Sequence, residues 1–243
     1  MKPNDRVHVL DWDSKFWGVR AGRATVEEVD DLNAIEDDCR RLAIDWLSLL
    51  IPVERTDLIN AAVRRDFDIV DVRHTLQLHG LSNGRATPSV AGERDTDEIA
   101  ALAATALAAT AFSHSRFAVD RHLNDARCAE FYETWVRNSF GGAMGDAVVV
   151  VRSEDGRVSG FITTQLDHTG SGSLQLAAVR PDQRRQGVGT RLLDGGLAWM
   201  SERQVETVTV VTQLGNKPAV RLWESAGFQT VESAVWLHRW FTG

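Results

Sequence analysis

Residues 179–193 read VRPDQRRQGVGTRLL, an order of residue types that can do chemistry. A strand-like stretch runs into Pro181, then Arg184 and Arg185, then Gly187 and Gly189 one residue apart. A helical apolar spacing follows at Val188, Leu192, Leu193, Leu197 and Met200. The first N–H groups of a helix lack carbonyl partners and carry the positive end of its dipole, so such a turn binds phosphate oxygens. Gly187 and Gly189 remove side chains that would hold a ligand away from the backbone. A dinucleotide fingerprint is excluded because Leu192 stands where the third glycine is needed. An ATP-type loop is excluded because no Gly-Lys-Ser/Thr occurs. For a bare Gly-x-Gly, a tight turn with the glycines serving geometry alone is the competing reading.

The surroundings of the turn narrow the choice. LAAVRPDQRRQGVGTRLL resembles the acetyl-coenzyme A loop of the GCN5-related N-acetyltransferase (GNAT) family, whose pattern is Arg/Gln-x-x-Gly-x-Gly/Ala. Arg184, Gly187 and Gly189 fill that pattern, behind a strand end of Ala178, Val179 and Pro181. A second family element follows at suitable separation. NKPAVRLWESAGF resembles the Asn-x-x-Ala segment that ends in Gly-Phe, with Asn216, Ala219, Gly227 and Phe228 matching. The resemblance covers about residues 95–243. A narrower one, to the dTDP-fucosamine acetyltransferase branch that acetylates nucleotide-linked amino sugars, is carried by HSRF (114–117), EFYETWVRNSF (130–140), VVTQLGN (210–216) and ESAVWLHR (232–239).

The resemblance implies direct attack of a neutral amine on the thioester carbonyl of acetyl-coenzyme A. By that analogy the coenzyme phosphates sit on Arg185, Gln186, Gly187, Val188, Gly189 and Thr190, with Arg184 and Arg185 offering charge from the rim. The amide-rich arm adds like a strand along Ala177, Ala178 and Val179, the Val179 N–H serves the developing oxyanion, and Asn216 meets the arm near the thiol, beside Ala219. The family usually places a tyrosine at position 223 to protonate the departing thiolate. Trp223 stands there instead, and an indole N–H donates a hydrogen bond but not a proton near neutral pH. Either a hydrogen bond or water suffices for a thiolate of ordinary acidity, or the chain is a non-catalytic coenzyme A-binding module; the complete loop favours activity. Acceptor-side candidates are His114, Arg116 and Tyr132. The acceptor is a small-molecule primary amine, with a nucleotide-linked amino sugar favoured over a protein N-terminus, a lysine or another small amine. No metal is expected, because the histidines lack paired ligand spacing.

The elements that must position these residues are legible in outline. LSNGRATPSVAGER resists regular structure and divides the chain into a small N-terminal α/β domain (1–82), a linker (83–94) and an acetyltransferase domain (95–243). Before the linker, Leu32, Ile35, Cys39, Leu42 and Trp46 share a helical face, 46–53 reads as a buried strand, Thr56 caps a helix, and 67–80 alternates as a half-buried strand. After it, Asp95 with Glu98 starts an alanine-rich helix. A second helix spans 126–139 with Cys128, Phe131, Trp135 and Val136 apolar, and two strands flank a turn at Asp155-Gly156. A strand then leads to the arginine-glycine turn, followed by a helix at 188–200, a strand at 205–213, a short helix ended by Gly227 and a closing strand that carries His238, inward or outward. The fold class expected is mixed α/β: a central mixed twisted sheet flanked by helices. The strand-turn-helix-strand order of 46–80 recurs at 207–240, either as a reduced copy of the GNAT half or as chance recurrence of a common unit.

Composition sets the remaining bounds. Against 34 acidic residues stand 27 lysines and arginines, a net charge of −7, which argues against bulk nucleic-acid binding or a basic membrane-surface patch. Two isolated cysteines suit a reducing compartment, and no apolar run approaches a membrane span, so a cytoplasmic location is expected. Whether the chain is a monomer or a homodimer is left open.

Overall fold

The computed structural model describes residues 6–81, 87–108, 115–167 and 169–241. The first part of the chain forms β1 (Val7–Val9), α1 (Asp11–Trp17), β2 (Ala21–Ala24), α2 (Asp31–Leu42), β3 (Trp46–Pro52), α3 (Thr56–Val63) and β4 (Asp68–His79). Then come α4 (Thr96–Ala108), α5 (Arg116–Val119), α6 (Asp125–Phe140), β5 (Ala147–Arg152), β6 (Val158–Leu166) and β7 (Ser171–Val179). The chain continues through α7 (Val188–Ser201), β8 (Thr207–Gln213), α8 (Lys217–Ser225) and β9 (Gln229–Trp240). Two compact units result. The first gathers the chain up to Arg73 with Ser115–His122 and the residues from Glu232 on; the second gathers residues 74–114 and 123–231. Two segments beyond the compositional linker therefore pack with the first unit.

In the first unit the strands run β1–β2–β3–β9, with β2 parallel to β3 and the other pairs antiparallel. Strand alternation gives this sheet two unlike faces. Leu47, Leu49, Ile51, Val235 and Leu237 join Leu32, Ile35 and Cys39 of α2 and Leu58, Ala61 and Ala62 of α3 in one apolar core. The opposite face carries Arg23, Trp46, Ser48, Trp236, His238 and Trp240, since Arg23 lies beside Ser48, Ser48 opposite His238, and Trp46 opposite Trp240. Trp17 and Phe117 cover part of this second face, each packing on Trp46.

In the second unit the His74–His79 half of β4 is followed by β8, β7, β6 and β5. β7 is parallel to β8 and antiparallel to β6, so the sheet is mixed. Val188, Leu192, Leu193 and Met200 of α7 fill a core with Val149, Ile162, Leu174, Val208 and Val210 from the strands and Trp223 and Phe228 from the C-terminal segment. Asn124 caps α6, its Oδ1 accepting from Ala126 N at 2.8 Å and Arg127 N at 3.3 Å.

Several sequence expectations change here. Trp46 is not on the face of α2: Ala43 takes a left-handed conformation (φ 51°) that ends the helix, and Trp46 opens β3. Thr56 is the first residue of α3 rather than its side-chain cap. β4 does not alternate cleanly, because His74, Thr75 and Leu76 are buried in succession. Asp95 and Glu98 do not cap α4 together. Asp95 accepts from Gly92 N and Arg152, while Glu98 accepts from Val158 N at 2.9 Å. Among the described residues no helix is long and apolar enough to cross a membrane.

Candidate active site

The site begins with a change in how β7 is paired. From Ser171 to Leu174 it is laddered to Thr207–Val210 of β8, and that pairing stops at Leu174 although both strands continue. On its other side β7 stays paired with β6 to the end, Val179 lying opposite Gly160. The register shifts in between, from Thr164↔Leu174 to Ile162↔Ala177, so β7 carries one extra residue there. Such a bulge bends its strand. The amide it displaces is satisfied, since Leu176 N donates to the buried Thr163 Oγ1 at 3.0 Å.

Past the bulge, backbone groups alternate between the two edges of the strand. Arg180 N donates to Ser159 O at 2.9 Å, toward β6. The Val179 and Ala177 N–H groups therefore turn to the opposite edge, where no β8 residue is paired with them. A sheet edge whose backbone donors are not laddered to β8 accepts an extended, amide-bearing chain.

The turn beyond β7 is left-handed twice, at Arg185 (φ 60°) and Gly187 (φ 73°). Gly187 is the N-cap of α7, and Arg191 N, donating to Gly187 O at 3.1 Å, makes the first helical bond. Val188, Gly189 and Thr190 thus head the helix with N–H groups that have no acceptor one turn earlier. Nothing lies within 4 Å of where a Gly187 Cβ would stand. A Cβ on Gly189 would touch Leu222 Cδ2 of α8 at 3.4 Å, so α7 and α8 adjoin at the head of α7. Arg185 and Gln186 are exposed. Arg184 is not on the rim: it is half-buried and its Nε donates to Val179 O at 3.4 Å, tying the turn back to the strand end.

α8 brings the second set of residues. Asn216 caps it, Oδ1 accepting from Ala219 N at 3.4 Å, which leaves its amide NH2 as the donor for other partners. Trp223 is 7% exposed and packs edge-on against Phe228, with ring centroids 5.9 Å apart. Its Nε1–H is buried and has no hydrogen-bond acceptor among the described residues. Ala177, Val179, Ala219 and Leu222 pack on the same apolar cluster as Val188 and Trp223. Of the residues the sequence singles out, Ala177–Val179, Arg184–Thr190, Asn216, Ala219 and Trp223 all belong to this one unit. The side chains of Ala178 and Val188 are buried, so both can serve a ligand only through backbone.

Residues 116–228 match the family model described as "Acetyltransferase (GNAT) family". That stretch, just under half of the chain, is a GNAT acetyltransferase domain. It is 26% identical to dTDP-fucosamine acetyltransferase of Escherichia coli O6:H1 over 96% of this chain and 97% of that protein. It is 32% identical to the spore coat polysaccharide biosynthesis protein SpsD of Bacillus subtilis, over 60% of this chain and 48% of that one. A crystal structure of a GCN5-related N-acetyltransferase from Sphaerobacter thermophilus superimposes with a TM-score of 0.64, covering 98% of this chain and 76% of that one at 14% identity, a likeness of fold. The chain is thus an acyltransferase of mixed α/β architecture that carries a GNAT domain.

The acceptor-side expectations fare differently. His114 lies outside the described residues. Tyr132 is buried in α6, edge-on to Phe131 with centroids 5.5 Å apart. Arg116 belongs to the first unit, where it meets residues that sequence reasoning did not select. Its guanidinium lies 4.2 Å from the Trp236 ring and 4.3 Å from Phe117, and Nη1 reaches Ser48 Oγ at 3.4 Å and His238 Nε2 at 3.5 Å. His238 points inward and is buried. Its Nδ1 lies 2.7 Å from Asp120 Oδ2, which also accepts from Trp240 Nε1 at 3.0 Å, while Oδ1 accepts from His122 N at 3.0 Å. Burial alone would raise the Asp120 pKa, but the hydrogen bonds from His238, Trp240 and His122 hold it below the ordinary carboxylate range. Burial lowers His238 to about 4 against the opposing pull of Asp120. At neutral pH the pair is therefore a carboxylate and a neutral imidazole with its proton on Nδ1, and Nε2 accepts from Arg116. Only a contact across more than 100 residues of chain unites this network, so no local motif announces it.

Proposed function

We propose that this enzyme moves an acetyl group from acetyl-coenzyme A to a primary amine, and that the amine belongs to a nucleotide-linked amino sugar. The observation that carries the first part is the opening of β7 away from β8 beside the glycine turn. An amide-rich arm fits that edge, a pyrophosphate fits the head of α7, and a sulfur near α8 would give the buried Trp223 indole N–H the acceptor it lacks. The residues that would hold the donor are Ala177–Val179, Arg185–Thr190, Asn216 and Ala219, with Arg184 bracing the turn rather than reaching outward. Bound there, the thioester supplies the acyl carbon: the amine nitrogen bonds to it, the carbon–sulfur bond breaks, and the amine proton leaves to water or base while the sulfur departs as thiolate.

In this reading the Val179 N–H donates to the developing oxyanion. Trp223 donates a hydrogen bond to the leaving sulfur without giving up its proton. The acceptor part rests on the relative named dTDP-fucosamine acetyltransferase, which aligns over nearly the whole chain. The test is thiol release from acetyl-coenzyme A with a panel of amines, together with calorimetry on coenzyme A. Turnover fastest with nucleotide-linked amino sugars is expected, and Trp223→Tyr is expected to raise kcat where thiolate protonation limits. Absence of coenzyme A binding would end the reading. Binding without turnover on any amine would leave a coenzyme-binding module instead.

A further inference from the structure

The described cations of the second unit divide by whether a carboxylate answers them. Arg127 pairs with Glu130, Arg137 with Asp97 and Glu133, Arg152 with Asp95, Arg180 with Asp182 and Arg203 with Glu202. Arg94 and Arg157 act on the neighbouring Asp95 and Asp155. Arg185, Arg191, Lys217 and Arg221 differ. All four are exposed, and among the described residues none of them closes an ion pair. Asp194 on α7 and Glu224 on α8 offset their charge only from a distance.

The fold brings these four to one end of the unit. β7 and β8 are parallel, so both run out at the same margin of the sheet, where α7 and α8 begin. Arg185 lies in the turn before α7 and Arg191 one turn into that helix; Lys217 opens α8 and Arg221 lies one turn on. The two helices adjoin there, as the contact between the Gly189 position and Leu222 shows. In a chain of net charge −7, this end attracts anions that the remaining surface repels.

Coenzyme A carries a pyrophosphate link and, on its ribose, a separate phosphomonoester. The N–H groups at the head of α7 suit the pyrophosphate. The phosphomonoester bears close to two negative charges at neutral pH and calls for cations. Guanidinium forks match it, each taking two oxygens at once, and a lysine adds a point charge on a long stem.

We propose that the side chains of Arg185, Arg191, Lys217 and Arg221 form a subsite for the ribose phosphomonoester of coenzyme A, so that the enzyme selects the phosphorylated carrier over its dephosphorylated form. The proposal deepens the donor reading given above and rests on it.

The experiment titrates the full chain with coenzyme A and with dephospho-coenzyme A by calorimetry. Coenzyme A is expected to bind at least tenfold more tightly, with the gap narrowing as salt rises from about 0.05 to about 0.5 M and screens exposed charge. The fourfold variant Arg185→Gln/Arg191→Gln/Lys217→Gln/Arg221→Gln should bring the two ligands within about twofold of each other. Its affinity for dephospho-coenzyme A should stay near the parent's, because the backbone donors are untouched, and that retained binding also shows that the variant folds. Should it not fold, the double variants Arg185→Gln/Arg191→Gln and Lys217→Gln/Arg221→Gln carry the same test, at least one closing the gap threefold or more. Arg127→Ala, which removes a paired cation elsewhere in the unit, should keep the parent's preference. Equal affinities in the parent, or a preference that survives in the variants, overturns the proposal. The two readings fail separately: if neither carrier binds, the donor reading falls, whereas if both bind alike, that reading stands and the phosphomonoester subsite falls.

Discussion

Gly160 is the point where the candidate site can be broken by a single methyl group. It sits in β6 opposite Val179, and a Cβ there would stand 2.8 Å from Ala178 O, 2.9 Å from Leu192 Cδ1 and 3.2 Å from Val188 Cγ1. The carbonyl belongs to the β6–β7 ladder, and the two side chains belong to the buried head of α7, so none can swing aside cheaply. Gly160→Ala should therefore cost about 1–3 kcal/mol, the usual penalty for overpacking a filled core. At roughly 2–4 °C per kcal/mol for a chain of this size, the melting temperature should fall by about 2–12 °C. What yields is the strand end and the helix head that flank the phosphate turn, and displacements of about an ångström at a reacting centre cost on the order of a hundredfold in rate. Scanning calorimetry without ligand, followed by kcat/KM at a temperature where the variant stays folded, separates the two effects. Gly141→Ala, whose Cβ would meet nothing closer than Asn138 O at 3.7 Å, is the matched control and should change stability by less than about 0.5 kcal/mol. A Gly160→Ala protein that melts and turns over like its parent would refute the claim that this close approach fixes the turn.

Two further outcomes are expected. Thr163→Val removes the hydroxyl that accepts from Leu176 N at the bulge; stranding that buried amide should cost about 1–3 kcal/mol and lower acetyl transfer, and thermal melts with unchanged stability would show the bulge is held otherwise. The pH dependence of stability should contain two opposed contributions. His238 falls from 6.5 to about 4 on folding, so its contribution is complete above pH 6.5 and is lost as pH falls toward 4; Asp71 rises from 3.8 to about 7, so its contribution is complete below pH 3.8 and is lost as pH rises toward 7. Melting curves between pH 4 and 7 should accordingly slope upward with pH in Asp71→Asn and downward in His238→Gln relative to the parent, and parallel curves for all three would count against both assignments.

The legible parts of the molecule are those whose signals are local. The turn at 179–190 declares itself because its glycines, arginines and following helix are neighbours in sequence, and Asp155-Gly156 marks a hairpin for the same reason, with Gly156 at φ 84°. The elements β1, α1 and β2 escape notice because they are three to seven residues long and α1 buries none of its residues, so no periodic pattern forms. Asp95 and Glu98 have the spacing of a cap, yet their carboxylates answer Arg152 and Val158, about 60 residues further on. The same limit hides the network behind Arg116: Asp120 and His238 are 118 positions apart, and each alone reads as an ordinary polar residue.

The stretch of β7 beyond Leu174 has one more consequence. A strand margin left without a neighbour welcomes any extended peptide, including one from a second molecule. What lets a cosubstrate dock can, in a starved protein, let molecules stitch to each other, so occupancy by donor doubles as protection of the sheet. Stocks kept with coenzyme A should stay clear where stocks kept without it slowly cloud.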